Sequence, residues 1–251
     1  MKIIISPAKK MVVNTDTVRW ETKPCFEEKG EYLKNWLQSM SYEQLKALWN
    51  CSEKLATKNM ERIRTMDLSR NRTAALLSYE GIQYQYMAPE VFSDRAWEYV
   101  QEHLRILSGF YGVVRPKDGI VPYRLEMQTK PGPKGCETLY EYWGRSIYEE
   151  IARDTDLIVN LASKEYSVCV EKYVEKDVEF LNCIFAEKAG GKLRQKATPA
   201  KMARGEMVRY LAENGITEKE QIKRFNGLGF WFSKEDSDES TYTFIRQKIE
   251  D

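Results

Sequence analysis

The chain has 251 residues, 42% of them hydrophobic and 31% charged, a balance that excludes global disorder and leaves enough apolar material for a core without staples. A formal net charge of +1 excludes a uniformly basic nucleic-acid binder, so any attraction for an anion has to be local. Five cysteines (Cys25, Cys51, Cys136, Cys169, Cys183), odd in number, widely spaced and without a CxxC, point to reduced thiols and away from a zinc site or a disulfide framework.

In chain order, Ile3-Ile4-Ile5 stopped by Ser6-Pro7 predicts a buried first strand. The apolar run after Lys2 is too short for a signal peptide or membrane span, so a cytoplasmic location without membrane contact is expected. Helical spacing over Glu27 to Arg64 predicts two or three surface helices, and Arg72 to Ser78 reads as a strand. A helix capped by Ser93 or Asp94 follows, carrying the lone His103; with no GxSxG elbow nearby, a surface or structural role is expected for that ring. Leu139 to Ile151 is helical in period. Asp156 to Ala162 reads as a central strand buried on both faces, and Val178 to Ala186 as another strand that turns back at Gly190-Gly191. A helix is predicted from Pro199 at its first turn, after Thr198 as N-cap, to about Glu213. A shorter one follows, with Thr217 and Glu220 as a capping box. Phe230-Trp231-Phe232 and Thr241 to Ile245 make a terminal hairpin around an acidic turn. The expected fold class is mixed α/β, one domain over 1–251 with a central mixed sheet surrounded by helices.

Two regions are candidates for chemistry. The first gathers loops that follow strands, where ligand sites of α/β sheets collect. Ser6 and Lys9 come from the first loop, Arg115, Tyr123, Arg124 and Glu126 from the second, and Asn160, Ser163, Lys164 and Glu165 from the third. Lys9, Arg115, Arg124 and Lys164 would make a shared cleft cationic, and Glu126 or Glu165 would serve as general acid or base. The second region is the helical pair over about 199–225. Lys192 to Arg224 holds nine basic and four acidic residues, whereas Ser233 to Asp251 holds three basic and six acidic. Lys196, Lys201, Arg204, Arg209, Lys219, Lys223 and Arg224 supply this charge, with Arg209 and Glu213 at i, i+4 spacing. A pair of short helices with a glycine turn is similar to a helix-hairpin-helix unit, whose helix N-termini can hold backbone phosphates, although such spacing also suits an ordinary αα-hairpin.

Four stretches together resemble the YaaA family of peroxide-stress proteins. They are Ile5-Ser6-Pro7-Ala8-Lys9, Leu104 through Pro116, Pro122-Tyr123-Arg124-Leu125-Glu126-Met127 and Asn160-Leu161-Ala162-Ser163, with Phe225-Asn226 near the end. The resemblance spans essentially the whole chain and departs at Lys10-Met11, where the family pattern has Thr-Leu. It implies a cytosolic protein tied to hydrogen peroxide resistance and to limiting intracellular iron, with a positively charged cleft, a helix-hairpin-helix element and duplex or branched DNA as partner. It places the cleft lysine on Lys9.

Three functions are then to be weighed. The leading expectation is DNA binding through backbone and shape, because no base-reading motif is visible. The alternative is an enzyme acting on a nucleobase or nucleotide in the strand-end cleft. Direct iron binding by Asp236, Asp238 and Glu239 is the weakest, since one histidine and unpaired cysteines make a poor ligand set. No cofactor or resident metal is expected.

Overall fold

The computed structural model describes residues 1–14 and 18–246. Its eight-stranded sheet runs in the order Phe230–Phe232, Thr241–Arg246, Glu179–Ala189, Leu157–Leu161, Lys2–Ile5, Leu104–Ser108 and Gly112–Val114, with Lys192–Arg194 paired to the far end of Glu179–Ala189. The five strands from Thr241–Arg246 to Leu104–Ser108 are parallel, and the flanking ones are antiparallel. Ile3 pairs with Leu104 on one side and Val159 on the other, so the isoleucine run lies mid-sheet with both faces covered. This is the mixed α/β fold expected from the sequence.

The turn at Gly190-Gly191 forms with both residues at positive φ, and the terminal hairpin pairs Trp231 with Ile245. Glu27–Gln38, Tyr42–Trp49 and Glu53–Arg64 are three helices, the second opened by a Ser41–Gln44 capping box. Ser93 caps Asp94–His103 through the Ala96 amide. The helical stretch after Thr138 is broken at Gly144, φ 52°, into Leu139–Trp143 and Ser146–Ala152.

Two expectations are corrected. Over Arg72 to Ser78 only Thr73–Ala74 is extended, paired with Gly119–Ile120, and Ala75–Ser78 is a short helix. A short apolar run does not distinguish the two states by period. Here the amides of Ala75 and Leu76 donate to the carbonyls of Asp118 and Pro116. Near the C-terminus the long helix is Ala197–Asn214, with Lys196 and not Thr198 at its N-cap position, and Gly215 ends it in the left-handed region at φ 60°. The following element, Lys219–Ile222, is a single turn behind Glu218, and the Thr217–Glu220 box does not form. Glu220 is engaged elsewhere, accepting from Lys223 at 2.6 Å and from the Tyr242 hydroxyl at 3.0 Å. The last five residues of the acidic tail lie outside the described residues.

Candidate functional site

The Lys2–Ile5 and Leu157–Leu161 strands end side by side, with Ile5 paired to Leu161. This register sets Ser6 against Ser163. The Ser163 amide donates to Ser6 Oγ at 2.8 Å, the two hydroxyls are 3.1 Å apart, and the Tyr84 hydroxyl donates to the Ser6 carbonyl at 3.0 Å. Ser163 leads straight into the Lys164–Glu171 helix, whose first N–H groups have no intrahelical acceptor and favour negative charge. Asn160 fixes this strand end: its Nδ2 donates to Asn182 at 2.8 Å and its Oδ1 accepts from the Ala162 amide at 2.9 Å.

The Pro122–Met127 segment forms the second wall. The Tyr123 hydroxyl lies between Ser108 at 2.6 Å and Tyr79 at 2.9 Å, and burial pushes it up to about 12. Arg124 is anchored by its carbonyl, which accepts from the Trp49 indole at 2.7 Å. Its guanidinium meets Glu126 at 3.3 Å, and Lys9 reaches the same carboxylate at 2.6 Å. Glu165 faces a different balance. Burial raises its pKa first, the neighbouring Glu126 charge raises it further, and the Gln128 and Met127 amides and Lys9 pull the other way.

A third wall comes from two helices in backbone contact, Ile82–Met87 carrying Gln83 and Tyr84, and Ala197–Asn214 carrying Lys201 and Arg204. Together the walls enclose a cavity of about 430 Å³ lined by five cationic and three acidic side chains: Lys9, Lys10, Arg124, Lys201 and Arg204 against Glu80, Glu126 and Glu165.

Among the described residues, four buried side-chain atoms make no hydrogen bond: Gln83 Nε2, Arg124 Nε, Glu165 Oε1 and Arg204 Nε. Buried polar groups in native proteins are nearly always satisfied, so each exception asks for a reason. These four residues come from four separate segments, yet all line this one cavity. A larger cavity of about 550 Å³ beside Met11, Arg62 and Arg70 contains none of them and is more open to solvent.

Of the cations expected to act together, Lys9, Arg124, Lys201 and Arg204 converge here. Arg115 does not. It follows Gly112–Val114, which runs antiparallel to Leu104–Ser108, so it emerges at the opposite, amino-terminal edge of the parallel strands. There its guanidinium faces Glu150 at 3.6 Å and its amide donates to Asp118. The other helical cations have carboxylate partners: Lys196 with Glu187, Arg209 with Glu213, Lys219 with Glu179 and Lys223 with Glu220, at 2.6–2.8 Å. Arg224 is exposed. Lys164 turns away to Glu171 at 2.7 Å. Ser6, Tyr123, Glu126, Ser163 and Glu165 line the cleft as the sequence suggested, with Asn160 just behind it. Gln83 and Tyr84 were not foreseen, because nothing in Gly81-Ile82-Gln83-Tyr84 marks a site and only the helix crossing brings them in.

Other candidates are engaged elsewhere. His103 Nδ1 lies 2.9 Å from the Met1 carbonyl, just before the first strand, and burial lowers its pKa. Asp236 pairs with Lys188, and Asp238 accepts from the Ser240 amide and hydroxyl. Among the described residues no cluster of three or more His, Cys, Asp or Glu has metal-holding geometry, and no helix is long and apolar enough to cross a membrane.

Comparison with known proteins gives one consistent result. A family model described as peroxide stress protein YaaA matches residues 1–236. A UPF0246 protein of Lachnoclostridium phytofermentans is 50% identical over 246 residues, covering 98% of this chain and 96% of the relative. A namesake from Agathobacter rectalis is 50% identical over 247 residues, covering 98% and 99%. Another from Desulfitobacterium hafniense is 48% identical over 250 residues, covering both chains fully. The chain therefore belongs to the peroxide stress protein YaaA family.

Proposed function

We propose that this YaaA-family protein binds duplex or branched DNA in the cytoplasm during peroxide stress, and that the strand-end cleft makes the principal contact. The carrying observation is the set of unpartnered buried groups around a cavity whose lining is net cationic. Three of the four orphaned atoms are N–H donors, the groups that phosphate oxygens satisfy best. Of the helix-hairpin-helix-like element beside the cleft (Ala197–Asn214, the Gly215 turn and Lys219–Ile222), the DNA contact falls on Lys201 and Arg204, which line the cleft, and not on the ion-paired lysines of its outer face. Recognition is by backbone and shape, and any effect on iron-dependent damage follows indirectly from occupying DNA. Fluorescence anisotropy of labelled duplex and four-way-junction DNA tests this. Three or four phosphate contacts give a log–log salt slope of about −3, with scrambled sequences equivalent. Absence of binding at low salt overturns the reading.

One observation favours an enzyme as a second reading. Glu126 and Glu165 share the cleft, but Lys9 and Arg124 hold Glu126 while burial keeps a proton on Glu165 to higher pH. A carboxyl that burial keeps protonated to higher pH, beside an ion-paired carboxylate, suits acid–base work. In hydrolysis of a base–sugar bond, Glu165 would give its proton to the leaving base nitrogen and recover one from the attacking water, whose oxygen joins the sugar carbon. Incubation with nucleosides and damaged DNA tests for base release, and no turnover on any of them ends this reading.

A further inference from the structure

The orphaned atoms carry more information than their charge. A phosphate alone offers acceptors for Gln83 Nε2, Arg124 Nε and Arg204 Nε, but once Glu165 ionises it would bring a second anion to Glu165 Oε1, then an acceptor that needs a donor. The ligand that fits all four offers anionic oxygens and an N–H donor in one small body. Depth gives the same answer. Gln83 is only 7% exposed, so a duplex backbone lying across the mouth stays away from it, whereas a single unit entering about 430 Å³ can reach it. An amide donor together with a carboxylate acceptor complements the alternating donors and acceptors of a nucleobase edge. Tyr84 and Tyr166 line the same cavity and add flat aromatic surface to it.

We infer that the cleft takes in one nucleotide unit, base included, with Gln83 and Glu165 reading the base edge and Arg124 and Arg204 taking the phosphate. The inference deepens the DNA-binding reading and rests on the same cavity. The unit has two possible sources, a nucleotide extruded from DNA and a free nucleoside monophosphate. An extruded base leaves the stack at least cost where it is mismatched or unpaired.

Three measurements on the full chain separate the outcomes. Calorimetric titration with each deoxynucleoside monophosphate, with nucleosides and with inorganic phosphate tests the unit itself. At least one monophosphate should bind more tightly than phosphate or its nucleoside, and Gln83→Ala should weaken it roughly tenfold, the effect of losing one buried hydrogen bond. Glu165→Gln, which exchanges an acceptor for an amide of the same shape, should change the ranking among the bases. Duplexes carrying 2-aminopurine in a mismatch should brighten as protein saturates them, with anisotropy on the same samples reporting binding, and Arg153→Ala, beside Glu150 at the opposite edge of the sheet, should brighten them equally. If DNA binds while 2-aminopurine stays quenched and monophosphates bind no better than phosphate, the nucleotide site is refuted and backbone binding stands. If monophosphates bind and DNA does not, the site stands with a free nucleotide as its ligand and the DNA reading falls. If neither binds, both fall. Thermal melting of each variant separates loss of the site from loss of fold.

Discussion

Gly205 and Gln83 stand in backbone contact: a Cβ at Gly205 would lie 2.0 Å from the Gln83 carbonyl oxygen and 3.0 Å from the Met87 amide nitrogen. Such distances admit no side chain, so the Ala197–Asn214 helix seats on Ile82–Met87 only because residue 205 is glycine. The crossing sets Arg204, the preceding residue, and the Gln83 side chain on one cavity. A fold-level packing constraint thus positions two of the four orphaned groups.

Glycine inside a helix ordinarily costs about 0.5–1 kcal/mol relative to alanine, so replacement by alanine usually stabilises. At Gly205 the sign should reverse. We expect Gly205→Ala to destabilise by about 1–3 kcal/mol, the range for overpacking a tight contact. Chemical denaturation measures it, and an unchanged or raised midpoint would contradict the crossing.

Glu165 gives a pH signature. Its folded pKa is raised above the unfolded value of about 4.3, chiefly by burial and then by Glu126. Between those two values the folded protein holds the extra proton, so this group's contribution to stability is fully present below the unfolded value and is lost as pH rises through the folded one. Glu165→Gln removes the titration. Stability measured for both proteins from pH 4 to 8 should show the glutamine variant gaining on the parent as pH rises. A parent that gains instead would mean that Glu165 is stabilised as a carboxylate.

Membership of a peroxide-stress family invites the idea of a cysteine sensor, and the thiols argue against Cys169 and Cys183 in that role. Both are buried, and desolvation pushes each to about 12. The thiolate, the form that peroxide attacks, is then on the order of one part in 10⁵ at neutral pH. Mass spectrometry after brief hydrogen peroxide exposure should find these two residues unmodified while the fold is intact. Rapid sulfenic acid formation at either would reverse this conclusion.

The strands were legible because their signals are local. Ile3-Ile4-Ile5, Asp156 to Ala162 and the Gly190-Gly191 turn declare themselves by composition, and the sheet follows. Ser6, Lys9, Arg124, Glu126, Ser163 and Glu165 are placed together by the rule that loops after strands converge, and the parallel register of Lys2–Ile5 and Leu157–Leu161 makes that rule hold for the loops after these two strands. The rule failed for Arg115 because Gly112–Val114 returns antiparallel and carries its following loop to the other edge, a direction the sequence does not state. The helical pair misled in a different way. Lys196, Arg209, Lys219 and Lys223 look like one basic face, but carboxylates distant in sequence, such as Glu187 and Glu179, pair with two of them. Gln83 had no local signal, since its place is a product of the Gly205 crossing.

The central claim is that the strand-end cleft, and not the outer face of the helical pair, carries the DNA contact. The most direct measurement is the salt dependence of DNA affinity, by anisotropy, for Lys9→Ala, Lys201→Ala and Arg204→Ala beside Lys196→Ala and Lys223→Ala. The cleft account predicts that each of the first three weakens binding and reduces the log–log slope by about one, while the two lysines outside the cleft change neither appreciably. The reverse pattern, with the slope falling for Lys196 and Lys223 and unchanged for Arg204, would contradict it and move the contact to the helices.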